Sequence, residues 1–242
     1  MPSGSHYRRV LIKISGEAFC GPDGFGLDRQ AIEAIAGELA GLCEMQVQVG
    51  LVVGGGNFLR GKTLAAGEFI PRATADAMGM LATVMNGLAL SEALAGRGVP
   101  ARVLSAIPMD RVCESFTRAR ALSHLEKGRL LILVGGTGSP FFTTDTCAAL
   151  RANEIAAEVL LKATKVDGVF EADPVTHPQA RKFDRLTYGE VLARQLGVMD
   201  LAAVSLCMGS GIPVIVFRLA TPGNLTRAVQ KQAVGTIISA DS

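Results

Sequence analysis

Apolar residues fall along the chain in two alternating rhythms. Unbroken runs such as Val10-Leu11-Ile12, Leu51-Val52-Val53 and Leu130-Leu131-Ile132-Leu133-Val134 are followed by longer stretches whose apolar positions recur at helical spacing. An unbroken aliphatic run reads as a strand buried on both faces, and the amphipathic stretch after it as a helix covering that strand. Strands are predicted over Arg9 to Ile14, in the run opening at Leu51, and over Arg102 to Ser105, Arg129 to Val134, Val159 to Ala163, Pro213 to Phe217 and Thr236 to Ser239. A helix is predicted after an N-cap at Asp28, with Ile32, Ile35, Ala36, Leu39, Leu42 and Cys43 at helical spacing. Further helices are predicted over Arg72 to Leu94, Glu114 to Glu126, Thr144 to Ala157 with Thr144 or Asp145 as cap, Thr187 to Leu196, Asp200 to Met208, and Pro222 to Gln230 with the proline at its start. Thr164 to Pro174 reads as a loop and Val175 to Leu186 as irregular.

This alternation implies a three-layer αβα sandwich with a mainly parallel central sheet, forming one domain over residues 7–242. Ligands of such sheets bind beyond the carboxyl ends of the strands. The opening Pro2-Ser3-Gly4-Ser5-His6 is set aside with Met1 as a flexible tail or cloning scar. The stretch Arg72 to Leu94 is unusual because Met78, Met80, Leu81, Val84, Met85, Leu88 and Leu94 take up more of its circumference than one core-facing stripe. It calls for cover on more than one side, which a second copy of the chain would supply; the bland alternative is that its methionines simply fill the core.

With 49% apolar residues among 242, a substantial core is expected. The net charge of +2 and the lack of any Lys/Arg run beyond two residues argue against nucleic acid and for a small-molecule ligand. Gly or charged residues break the apolar stretches before a membrane span is reached, so a cytoplasmic protein is expected. The cysteines, Cys20, Cys43, Cys113, Cys147 and Cys207, are odd in number and lack C-x-x-C spacing, and the histidines His6, His124 and His177 have no ligand spacing. No resident metal site is expected.

Three strands end in glycine-bearing turns: Lys13-Ile14-Ser15-Gly16, Gly54-Gly55-Gly56-Asn57 and Gly135-Gly136-Thr137-Gly138-Ser139-Pro140. Such turns bring bare N–H groups against anions, and Lys13 and Arg60 would add fixed positive charge, the donors that phosphoryl transfer requires. The pattern G-x-G-x-x-G does not occur, which weakens a dinucleotide reading. Single residues leave alternatives open. Lys13 could snorkel to solvent, Asp145 and Asp200 could only cap helices, and Phe141-Phe142 could be core. Asp76 could be a solvated helix charge or could accept from the hydroxyls of a sugar.

Taken together, Lys13-Ile14-Ser15-Gly16-Glu17-Ala18, Gly54-Gly55-Gly56-Asn57 with Arg60-Gly61, and Met78-Gly79-Met80-Leu81-Ala82-Thr83-Val84-Met85-Asn86 carry a family resemblance. So do Thr137-Gly138 with Pro140-Phe141-Phe142-Thr143-Thr144-Asp145, the stretch Leu161-Lys162-Ala163-Thr164-Lys165-Val166-Asp167-Gly168-Val169-Phe170, and Val198-Met199-Asp200. From Tyr7 to Ile238 the chain resembles the bacterial uridylate kinases of the amino acid kinase family. The resemblance implies transfer of the ATP γ-phosphate to UMP, giving UDP and ADP in pyrimidine nucleotide synthesis, with Mg2+ carried by ATP and no covalent intermediate. It implies an acceptor-binding part over about residues 7–155 and an ATP-binding part over about 156–242.

By matching position, Lys13 would bridge the two phosphates, and Asp145 and Asp200 would orient lysine and substrate at the reacting centre. Ser15, Gly16, Gly56 and Arg60 would surround the ATP phosphates, and Thr164, Phe170 and Asp173 would contact the adenine nucleotide. Gly55, Asp76 and the run Thr137, Gly138, Ser139, Pro140, Phe141, Phe142, Thr143, Thr144 would hold UMP. The loop Gly21, Pro22, Asp23, Gly24, Phe25, Gly26 resembles the segment associated with activation by GTP. The resemblance also implies UTP as an inhibitor and a homo-hexamer built of dimers. Ser139 stands where the family usually has Asn, Ala77 where it often has His, and Leu206-Cys207-Met208-Gly209 replaces a more polar stretch. The alternatives of the same fold are a carbamate or amino-acid kinase, and a non-catalytic ATP-binding storage protein.

Overall fold

The computed structural model describes residues 6–59 and 70–240; residues 1–5 of the expected tail, and Arg60 and Gly61, lie outside the described residues. Its strands are β1 (Arg9–Ile14), β2 (Gln48–Val53), β3 (Ala101–Ser105), β4 (Glu114–Ser115), β5 (Leu130–Val134), β6 (Val159–Thr164), β7 (Val169–Phe170), β8 (Lys182–Phe183), β9 (Arg185–Thr187), β10 (Val214–Arg218) and β11 (Thr236–Ser239). The helices are α1 (Arg29–Glu44), α2 (Arg72–Ala95), α3 (Arg118–Glu126), α4 (Thr144–Glu154), α5 (Tyr188–Ala193), α6 (Leu201–Ser210) and α7 (Asn224–Val229).

Nine strands form one sheet in the order β4-β3-β5-β2-β1-β6-β10-β11-β9, and β7 pairs with β8 in a separate hairpin. All neighbours in the large sheet are parallel except β10 and β11. The sheet is buried on both faces. Val10, Ile12 and Ile14 of β1 face a core completed by α1, α2 and α7, while Leu11 faces the opposite core, completed by α3, α4, α5 and α6. That two-sided burial is why the central strands read as unbroken apolar runs.

Several helix boundaries differ from the sequence reading, each for a local reason. Glu114 begins a short edge strand, and the helix starts only after Thr117, whose hydroxyl accepts from Arg120 N at 3.2 Å. The cap of α4 is Thr143, which accepts from the N–H groups of Asp145 and Thr146 at 3.1 and 3.2 Å, so neither expected cap holds that position. This helix stops at Glu154, and Ala156 turns left-handed with φ 52°. Likewise α5 stops before Gln195 at φ 50°, and α7 starts after Gly223 at φ 76°, which puts Pro222 outside it. The loop and irregular stretch between Thr164 and Leu186 contain β7, β8 and the start of β9. Asp28 and Asp200 do cap α1 and α6, accepting from Ala31 N at 2.8 Å and Ala203 N at 3.0 Å.

Helix α2 lies against β2, β3, β5 and α1. It can approach so closely because Gly87 has no side chain: a Cβ there would stand 2.5 Å from Val134 Cγ1. Its buried side includes Ala75, Ala82, Val84, Leu90 and Leu94, while Leu81 is 50% and Met85 45% exposed. By length and composition α2 does meet the requirement of a membrane span, contrary to the sequence expectation, and 39% of the qualifying window is buried in the fold. The five cysteines are free, Cys147 and Cys207 buried and the others half-buried.

Candidate functional site

Strands β5, β2 and β1 are neighbours, so the three glycine turns that follow them meet at one end of the sheet. The register of β1 with β6 sets Lys13 directly beside Lys162. Two like charges then share one face at the carboxyl ends of adjacent strands. Helix α4 answers them with Asp145 in its first turn: Oδ2 accepts from Lys162 Nζ at 2.6 Å, and Oδ1 lies 3.0 Å from Lys13 Nζ. The Lys13 contact pairs charge without hydrogen-bond direction, and buried Oδ1 has no hydrogen-bond partner among the described residues. Lys162 also donates to the carbonyl of Val198.

Burial is the largest influence on Lys162 and, with the repulsion of Lys13, holds its pKa below the ordinary lysine range despite the attraction of Asp145. Asp200 sits beside this trio and accepts from the hydroxyl of Thr143, from Thr146 Oγ1 at 2.8 Å and from Ala203 N. Burial works against its ionised form, but these hydrogen bonds together prevail and keep its pKa below the usual carboxylate value. Lys162 was not singled out from sequence. The signal was present, since Leu160-Leu161-Lys162-Ala163 interrupts an aliphatic strand with a lysine just as Leu11-Ile12-Lys13-Ile14 does.

The glycine turns interlock. A Cβ on Gly16 would stand 2.4 Å from Gly56 N, one on Gly54 2.7 Å from Gly16 N, and one on Gly55 2.5 Å from the carbonyl of Gly79 in α2. A Cβ on Gly56, by contrast, would meet only Glu17 Cγ at 3.9 Å among the described residues. Asn57 and Asn86 fasten the second turn through reciprocal amide bonds of 2.9 and 2.8 Å, with Asn86 Nδ2 donating to the carbonyl of Gly54 and Asn57 Nδ2 to that of Gly26, both at 2.7 Å. The third turn is stapled to α2 by Gly135 N donating to Thr83 Oγ1 at 2.8 Å.

Three clefts open around this centre. One, of about 260 Å3, is lined by Gly55, Gly56, Arg72, Asp76, Ser139, Phe142, Thr143 and Thr144 among others. Asp76 is no solvated charge: Arg72 Nε donates to both its oxygens at 2.8 and 2.9 Å, and Phe141 N donates to Oδ2 at 2.9 Å. Arg72 was missed in the sequence because it reads as the first residue of a long helix. Thr137, Gly138, Pro140 and Phe141 shape the neighbouring turn without lining this cleft, and Thr137 Oγ1 accepts from Ser139 N at 3.2 Å. Phe141 and Phe142 are 65% and 54% exposed, so they are not core.

A second cleft, of about 500 Å3, gathers Lys162, Thr164, Phe170 and Asp173. A third, of about 860 Å3, runs from Lys13 and Ser15 toward α1, and a Lys165–Glu17 ion pair of 2.6 Å stands in its wall. The loop from Gly21 to Gly26 lines none of the three; it is held against the second glycine turn by Gly26 N donating to Asn57 O at 3.0 Å, with Phe25 edge-on to Phe58. Paired cations at the meeting point of separate clefts can stabilise charge on a group passed from one bound molecule to another.

The model of the Amino acid kinase family matches residues 8–218. A uridylate kinase of Legionella pneumophila (strain Lens) is 51% identical over 235 residues, covering 97% of this chain and 95% of that protein. Among solved structures, a UMP kinase from Bacillus anthracis is 37% identical with a TM-score of 0.95 and 98% coverage of both chains. A UMP kinase from Ureaplasma parvum is 36% identical with a TM-score of 0.91, covering 96% of this chain and 99% of that one.

Proposed function

Because this chain belongs to the amino acid kinase family, with uridylate kinases matching it over nearly all its length, we infer that it is a UMP kinase, moving the γ-phosphate of ATP to UMP to give ADP and UDP. The observation that carries the chemistry is the Lys13, Lys162 and Asp145 cluster. Lys162 lines the cleft of about 500 Å3, Lys13 the one of about 860 Å3, and Thr143, bonded to Asp200, the one of about 260 Å3. Measuring ADP release with UMP, CMP, dUMP, carbamate, aspartate and acetylglutamate tests the reading. UMP should be the acceptor and dUMP a poor one, because a site built for a hydroxyl leaves polar groups unpaired against an analogue lacking it.

In this reading UMP occupies the cleft with Asp76, whose carboxylate accepts from the ribose hydroxyls while Arg72 orients it. The adenine nucleotide lies against Thr164, Phe170 and Asp173, and its phosphates meet Ser15, Gly16 and Gly56, where the described residues leave the face of Gly56 open to an anion. Arg60 belongs to the same phosphate set. Lys13 neutralises charge that develops on the transferring phosphoryl group; Asp145 positions both lysines and Asp200 positions Thr143. The oxygen of UMP attacks in line and ADP leaves without a bond to the chain.

The carboxylates at the centre are committed to two lysines and to Thr143, Thr146 and Ala203, a donor set that fits a metal held chiefly by phosphate oxygens. We assign Mg2+ to ATP, where it supplies charge neutralisation. The acceptor-binding part covers about residues 7–155 and the ATP-binding part about 156–242. Leu81 and Met85 on α2 support a two-fold contact between copies, three such dimers making a hexamer. GTP would activate through Gly21–Gly26, which is bonded to the second glycine turn, and UTP would inhibit. The enzyme would serve pyrimidine synthesis in the cytoplasm.

A further inference from the structure

We propose that a pocket between the end of β10 and α7 binds an anion of the phosphate class, at a site separate from the three clefts above. The pocket has a volume of about 330 Å3, and its lining includes Lys182, Arg218, Arg227, Asn224 and Asp167. Its charges do not balance. Asp167 is engaged by Lys182 at 3.4 Å, and neither Arg218 nor Arg227 has a carboxylate within ion-pair distance among the described residues.

Two unpaired guanidinium groups on flexible stems at a surface would ordinarily be solvated charges. Here a buried amide ties the Arg227 guanidinium to the main chain at Arg218. Asn224 is 3% exposed; its Nδ2 donates to the carbonyl of Arg218 at 2.9 Å, and its Oδ1 accepts from the Arg227 guanidinium. The bond to Asn224 orients the Arg227 fork and leaves its remaining N–H groups free of protein carboxylates. Like charges brought to one concavity without a counter-charge repel, and an anion with two or more ionised oxygens removes that cost while matching the planar forks. The pocket is large enough for a phosphate with further atoms attached.

The pocket shares a wall with the cleft that holds Phe170 and Asp173. Gly168, next to Asp167, lines that cleft with φ 138°, and a Cβ on it would stand 2.6 Å from Thr236 Oγ1 and 3.1 Å from Lys182 Cδ. Lys182 is therefore packed against the backbone that separates the two spaces. An anion drawing on Lys182 would brace that segment.

The phosphate group could be free or the terminal group of a nucleotide, and calorimetry of the full chain separates the two. With UMP and a non-hydrolysable ATP analogue saturating the clefts, inorganic phosphate and GTP are titrated separately into the wild type and into Arg218→Gln and Arg227→Gln. The wild type should bind at least one of them, and each substitution should weaken that binding about tenfold or more, Arg218→Gln doing so without lowering the melting temperature. Loss confined to the phosphate arm identifies free phosphate, and loss in the GTP arm a nucleotide. Lys182→Gln, on a different strand, gives the same readout should either arginine variant fold poorly. Because the reading is a difference between wild type and variants, it holds whether or not the clefts are nucleotide sites. Binding of neither probe to the wild type, or binding that survives all the substitutions, would leave two solvated arginines and overturn the site.

Discussion

Replacing Asp145 by Asn keeps its shape and removes the one negative charge lying between Lys13 and Lys162. The side chains of the three residues are 13%, 11% and 15% exposed in the order Lys13, Lys162, Asp145, so the charges left behind are poorly solvated. Breaking a largely buried pair by removing one partner costs about 3 kcal/mol, roughly a hundredfold in the folding equilibrium. For a chain of this size that is a fall in melting temperature of about 6–12 °C. The pH dependence distinguishes charge from packing. Lys162 already has a folded pKa below its unfolded value, so the unfolded state binds its proton more tightly and stability rises as pH climbs between the two values. Without Asp145 the folded value drops further and the window widens. Asp145→Asn should therefore be most destabilising near neutral pH and approach the wild type as pH rises toward the ordinary lysine range. Thermal melts at equal protein concentration across that interval measure this. A deficit under about 1 kcal/mol at neutral pH, or one that grows with pH, would refute the account of the cluster.

Lys13→Ala should lower kcat about a hundredfold or more with a smaller change in KM, as expected for a charge met mainly in the transition state; steady-state kinetics showing most of kcat retained would remove it from the mechanism. Asp76→Asn should raise the KM for UMP about tenfold and spare that for ATP, and unchanged UMP affinity by calorimetry would reduce Asp76 to a partner of Arg72. Burial pushes the Cys147 thiol up to about 11 and that of Cys207 to about 12, so at pH 8 both should resist a thiol reagent in the native state while reacting fully after denaturation. Met85→Glu on the exposed stripe of α2 should dissociate the assembly, visible as a smaller particle by light scattering; a wild type that is already monomeric at micromolar concentration with full activity contradicts the interface.

Most of the sheet was legible because its central strands are buried on both faces and so read as nearly continuous apolar runs, and β1 and β11 match the predicted bounds. The errors fall at helix ends, where one side-chain hydrogen bond or one left-handed residue decides the boundary. Thr143 displaces Thr144 and Asp145 as cap because its hydroxyl reaches two N–H groups, a geometry that composition alone does not distinguish. Lys13 stood out because a glycine follows it closely; Lys162 carries the same strand pattern but lacks that marker, and only the register of β1 with β6 joins them. Arg72 and Asp76 form a pair at helical spacing, four residues apart, yet the loop residue that completes the contact, Phe141, lies 65 positions away. Long-range pairings of this kind have no local signature.

The reciprocal bonds of Asn57 and Asn86 have a consequence for what a pH–rate profile of this chain would mean. They join the segments carrying Gly26 and Gly54 to α2 through four amide hydrogen bonds, and none of the participating groups ionises in the range where proteins are handled. The mounting of the second glycine turn is therefore blind to protons, whereas the neighbouring Lys13, Lys162, Asp145 and Asp200 all carry charge. A bend in that profile would report titration of the charged groups or of the bound nucleotides, with the position of the turn held constant.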